Sequence, residues 1–241
     1  MNIGGVIETV SWKNQVDAIL LPWQPGQEGA YAVADVLTGK VNPSGKLTMT
    51  FPVSALDHPS SANFPNCPQS GESEDGLKKN FDYTEYAEGI WVGYRHFNTR
   101  GVEVSYPFGY GLSYTSFEYS QPVVKASADG FTASVTVTNT GSVAGKEVVE
   151  VYVSAPSGGL EKPSRELKAF GKTDLLAPGE SQTLTFTVSA YDLASFNEAA
   201  SRWETASGTY TVHFGASAED IRSTGAFSIR KTRYWKVHDV L

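Results

Sequence analysis

The sequence predicts two units of different class: an α/β domain over residues 1–116 and an all-β antiparallel sandwich over 117–241. Three observations carry this. Between Val16 and Phe51 an apolar run, a helical pattern and an alternating run follow one another, which is the order of a layered α/β unit. Residues 53–85 hold no periodicity and are rich in Pro, Ser, Asn, Gly and charge. From Glu118 onward, short alternating runs recur between turn signals, as in a β-sandwich.

Each element has a local reason. Ile3 to Val10 reads as the end of a strand entering a turn with no element before it, which predicts a piece of something larger. Val16 to Leu21 is expected to be a buried strand. Pro25-Gly26 then breaks the chain, and Glu28 falls in the first turn of a helix, where a carboxylate suits the positive end. Ala30, Val33, Ala34 and Leu37 recur at helical spacing, so one apolar stripe is expected to face a core, and Gly39 stops the helix. After the turn Asn42-Pro43-Ser44-Gly45, Leu47 to Phe51 alternates as a strand. Ile90 to Phe97 reads as a strand, Thr99-Arg100-Gly101 as a turn and Val102 to Val104 as its partner. Pro107 to Gly111 must be irregular, because its glycines permit backbone shapes closed to other residues.

The second half predicts strands at Phe131–Thr138, Glu147–Val153, Glu166–Phe170, Thr183–Val188, Arg202–Glu204, Gly208–Gly215 and Ala226–Ile229. Asn139-Thr140-Gly141 and Ala177 to Glu180 are turns, and Tyr191–Ser195 is looped or helical. Trp203, Phe186, Tyr152 and Phe214 are expected to dominate the core.

Composition excludes several classes. The net charge of −7 argues against nucleic acid as partner. No apolar run approaches the roughly 18 residues of a membrane-spanning helix, so no membrane partner is expected. The first residues lack a basic segment followed by an apolar core, so no signal peptide is expected there. The single cysteine, Cys67, rules out an internal disulfide. His58, His96, His213 and His238 lie far apart without ligand spacing, so no metal is expected. The acidic run Glu72, Glu74 and Asp75 reads as a solvated loop face.

Several motifs resemble one family. Trp23 to Gly29 (W-x-P-G-Q-E-G) and Ala34 to Leu47 (A-D-V-L-x-G-x-x-N-P-S-G-K-L) are similar to the C-terminal α/β sandwich domain of family 3 glycoside hydrolases, the β-glucosidases and β-xylosidases. Val92 to Thr99 and Tyr106 to Phe117 resemble the segment leaving that domain. Ser164 to Lys172, Leu175 to Ser181 and Asp192 to Phe196 resemble the immunoglobulin-type, fibronectin type III-like domain at the end of these enzymes.

The resemblance implies a parent enzyme, secreted or periplasmic as family members often are, that hydrolyses terminal β-linked glucose or a related sugar with retention and without cofactor. A retaining glycosidase needs two carboxylates about 5–5.5 Å apart. The family's nucleophilic aspartate lies in a (β/α)8 barrel, for whose roughly 250 residues the chain has no room, and no position matches the general-acid glutamate. Glu28, Glu85 and Glu88 therefore receive no catalytic role. Tyr94 and Arg95 are the candidates for a substrate contact at the active-site rim, with a structural ion pair as the alternative for Arg95. The implied partners are the N-terminal barrel portion, the oligosaccharide bound by the intact enzyme, and a second copy of the chain through self-association. The rival reading is a non-catalytic module that binds carbohydrate or protein.

Overall fold

The structure is a computed structural model and describes residues 1–63 and 86–236; Cys67, Glu72, Glu74, Asp75, Glu85 and His238 lie outside them. The second half is a two-layer antiparallel sandwich. One sheet has the order β12 (Ile221–Ile229), β11 (Gly208–Gly215), β6 (Val148–Ser154) and β7 (Glu166–Lys172). In the other, β5 (Gly130–Asn139) pairs along one side with β8 (Ser181–Ser189). Along its other side it pairs with β3 (Phe117–Tyr119) and then β4 (Val123–Ser127).

Strand β5 shows why these residues form this layer. Phe131, Ala133, Val135 and Val137 point inward and are buried. The intervening threonines face out, and Thr136 and Thr138 bond Thr183 and Ser181 of β8 at 2.8 Å each. Val149, Val151 and Val153 of β6 enter the same core with Phe186, Tyr210, Phe214 and Phe227. Phe131 and Tyr210 lie 4.5 and 5.2 Å from the Phe227 ring, which gives aromatic packing beyond area burial.

Residues 1–116 are built differently. Helix α1 spans Gly29–Leu37, and the left-handed Gly39 (φ +74°) follows it. Glu28 sits at its N-cap without a side-chain cap bond. Two-residue strand β1 (Phe51–Pro52) pairs with β2 (Val104–Tyr106). Two short 3-10 turns, Ala55–Asp57 and Pro59–Ala62, open the predicted long loop. Helix α2 spans Tyr94–Arg100. Phe51 and Phe97 are the only buried large apolar side chains among this unit's described residues.

Several expectations need correction. Val16 to Leu21 joins no strand and is not buried, because no neighbouring ladder reaches it among the described residues. Leu47 to Phe51 pairs as a strand only at its end; Leu47 instead bonds Tyr110 and Gly109 through its backbone. Ile90 to Phe97 is not a strand: Gly93 (φ +57°) and Gly101 (φ +66°) bracket a helix that turns Phe97 inward. The α1 stripe meets no core: Ala30 and Ala34 are exposed, Val33 is half-buried and Leu37 is 67 % exposed. Trp203 lies outside the main core, in a small sheet of β9 (Ser195–Asn197), β10 (Arg202–Thr205) and β13 (Arg233–Lys236), where Phe196 and Tyr191 pack edge-on against it. Strands β3, β4, β9 and β13 had no sequence counterpart, being short or poor in alternation.

Candidate functional site at the junction of the two units

Strand β6 is buried on both faces, and its second face builds the junction. The valines occupy the sandwich core, so the alternate residues Glu150 and Tyr152 must face the first unit. Tyr152 meets the Tyr94 ring at 5.7 Å, and Tyr94 meets Phe108 at 5.0 Å. The Tyr94 hydroxyl accepts the Leu167 N–H at 2.8 Å at the start of β7. Nearby, Ala218 N–H donates to the Phe108 carbonyl and Ser164 N–H to the Thr99 hydroxyl, each at 2.8 Å. At the other side of the junction, Asn42 accepts from Ser113 and from the Tyr114 N–H and donates to the Ala144 carbonyl. That one amide ties the turn before Lys46 to a sandwich loop.

Glu150 is 4 % exposed, and the Tyr152 hydroxyl donates to it at 2.6 Å. The carboxylate presses on Gly109: a Cβ there would lie 2.2 Å from Glu150 Oε2. Burial pushes the Glu150 carboxyl up from 4.5 to about 7, against the opposing pull of the Tyr152 bond and Lys46, with Glu147 adding to the rise. Burial and the neighbouring Glu150 also raise the Tyr152 phenol.

This sets a pH dependence. The folded protein holds the Glu150 proton more tightly than the unfolded chain does. This contribution to folding is therefore full below about pH 4.5 and is lost as pH rises through about 7. The expected loss is on the order of 2–3 kcal/mol. Urea titrations at pH 5 and 8 should show it, and Glu150→Gln should flatten that difference. An unchanged slope in the variant would mean that another group carries it.

Beside Glu150 lies a cleft of about 520 Å³ between the units. Lys46, Tyr110 and Leu112 line one wall; Glu147, Glu219 and Arg222 line the other. Lys46 Nζ is 3.6 Å from Glu147 Oε1, and their side chains are only 11 % and 9 % exposed. The Tyr119 hydroxyl donates to the same Glu147 oxygen at 2.9 Å.

The candidates from sequence thus fall in different places. Tyr94 is inside the junction. Arg95 lies beside it and faces Glu166 at a loose 3.8 Å. Glu28 is exposed ahead of α1. Glu147 and Glu150 were missed because an alternating strand normally turns its polar residues to solvent. Their only signal was charge within the run E-V-V-E-V-Y-V. Among the described residues, no group of three His, Cys, Asp or Glu side chains is placed to hold a metal. Both junction carboxylates are already held by tyrosine hydroxyls, so what the arrangement does is fix the two units relative to each other.

Two family models match the chain. Residues 1–114 match the glycosyl hydrolase family 3 C-terminal domain, and residues 147–218 match the fibronectin type III-like domain. This chain belongs to glycoside hydrolase family 3. The solved β-glucosidase 3B of Thermotoga neapolitana, in complex with α-D-glucose, superposes with a TM-score of 0.88 at 48 % identity. The match covers 98 % of this family 3 chain and 31 % of that one. β-Glucosidase A of Butyrivibrio fibrisolvens is 42 % identical over 92 % of the chain and 28 % of its own length. The exo-α-(1→6)-L-arabinopyranosidase of Bifidobacterium breve is 39 % identical over 92 % of the chain and 28 % of its own length. The family 3 chain therefore spans little more than a quarter of the curated relatives it matches. Its architecture is part of the family's α/β sandwich followed by a fibronectin type III-like sandwich.

Proposed function

We propose that this chain is the supporting C-terminal portion of a retaining β-glycosidase acting on terminal β-linked glucose or a related sugar. One observation carries the reading: the sandwich has a full core, whereas residues 1–116 bury only Phe51 and Phe97 among large apolar side chains and leave the α1 stripe uncovered. Such a unit is half of a layer whose other half comes from elsewhere. The barrel-bearing portion would cover that face and supply the two carboxylates. The boundary between the units falls near residue 116. Tyr94 and Arg95 act as junction residues that hold the pocket wall in place, rather than as sugar contacts. The arabinopyranosidase among the relatives supports a specificity set outside the region shared here.

The rival binding-module reading would need a flat row of exposed aromatic rings. The rings of Phe196 and Trp203 meet at 62°, and Tyr191 meets Trp235 at 72°, so this cluster does not form a flat platform.

Hydrolysis of p-nitrophenyl β-glucoside and β-xyloside tests the proposal. The chain alone should be inactive, and mixing it with a separately produced barrel-bearing portion of a family 3 β-glucosidase should give turnover. Turnover by the purified chain alone would end the proposal.

A further inference from the structure

We propose that the cleft at the junction binds a neutral mono- or disaccharide. The walls alone carry this inference, and it stands whether or not the chain serves a glycosidase. The volume of about 520 Å³ is in the range of small-molecule sites, roughly 300–1,000 Å³. Apart from Glu219, the charges lining it are matched within the walls. Lys46 faces Glu147, and Asp220 takes the Arg222 guanidinium through two bonds of 2.6 Å. An anion would meet Glu147, Glu219 and Asp220; a bare cation would meet Lys46 and Arg222. A neutral ligand carrying both donors and acceptors meets neither penalty.

Two groups ask for such a ligand. Lys46 has three N–H donors on a nearly buried ammonium. Its closest anionic oxygen among the described residues lies 3.6 Å away, long for a hydrogen bond. A buried ammonium without close acceptors is costly, and ligand hydroxyl oxygens would relieve that cost. Opposite it, Glu219 is an exposed carboxylate that accepts hydrogen bonds from hydroxyls. Tyr110 and Leu112 add an apolar wall to which the C–H face of a pyranose can pack. A hydrogen-bonding rim around one apolar wall is the chemistry of a sugar, not of an ion.

The test is titration of the whole chain with glucose and cellobiose, with glucuronate and sulfate in parallel, followed by calorimetry and hydrogen–deuterium exchange. Cellobiose should bind saturably and protect residues 110–117 and 216–222. Glu219→Ala should weaken binding about tenfold, the loss of one charged hydrogen bond. Lys46→Met should abolish it; if that variant does not fold, Glu219→Ala decides. Absent saturation, protection elsewhere only, unaltered affinity in Glu219→Ala, or binding of glucuronate or sulfate in preference to the neutral sugars would each overturn the proposal.

Discussion

Asn139→Ala is expected to lower stability by about 3–5 kcal/mol. Asn139 is completely buried at the end of β5. Its amide nitrogen donates to the carbonyls of Val143 and Leu176, at 2.8 and 2.9 Å. Its amide oxygen accepts from the Thr115 hydroxyl and from the Gly141 N–H. Alanine would take the partner from the Val143 carbonyl, the Thr115 hydroxyl and the Gly141 N–H, while the Leu176 carbonyl would keep the Gly145 N–H. Each costs about 1–3 kcal/mol when buried, and the sum is tempered by relaxation of the loop. The loss is a large fraction of a domain's usual total of about 5–15 kcal/mol. Asn139→Asp keeps the acceptor but sets a carboxylate against two carbonyls, so it should be nearly as harmful at pH 7 and recover in acid. Chemical denaturation of the three proteins checks this; a loss below about 1 kcal/mol for the alanine variant would show that the network is not holding the loops.

Gly109→Ala is the second large effect. The residue adopts φ +81°, which costs an L side chain about 1–2 kcal/mol. The added Cβ would also meet both oxygens of Glu150, at 2.2 and 2.5 Å. That carboxylate cannot swing aside freely, since Tyr152 holds it. The expected total is about 3 kcal/mol or more. A double-mutant cycle separates the two parts. In a Glu150→Ala background the clash disappears and only the backbone cost remains. Equal penalties in both backgrounds would mean that the contact between β6 and the Pro107–Gly111 segment is not as described.

The sandwich was legible in the sequence because its strands alternate with period two. Thr132, Thr136, Thr183 and Thr185 mark the outer face as clearly as Phe131 and Val135 mark the inner one. The alternation rule misled at two places. In β6 both faces are buried, so Glu150 and Tyr152 read as solvent-facing or as ordinary core when they are contacts to another unit. In Ile90–Phe97 a brief apolar and aromatic run resembles a strand, while the glycines at 93 and 101 already bracketed a helix with Tyr94 and Phe97 three apart. The junction itself is not a local property. Asn42 reads correctly as a turn residue, yet its partner Ala144 is 102 positions away. The α1 stripe was read correctly as apolar; what covers it is not among the described residues, so its pattern predicted a core that this chain does not show.

Residues 1–116, read as an unfinished layer, should seek a covering partner. Sedimentation velocity tests this most directly, on the chain alone and with a barrel-bearing portion of a family 3 β-glucosidase. The uncovered face of Ala30, Ala34 and Leu37 predicts self-association of the chain alone, replaced by a one-to-one complex when that portion is added. A chain that stays strictly monomeric and shows no affinity for the added portion would contradict the account.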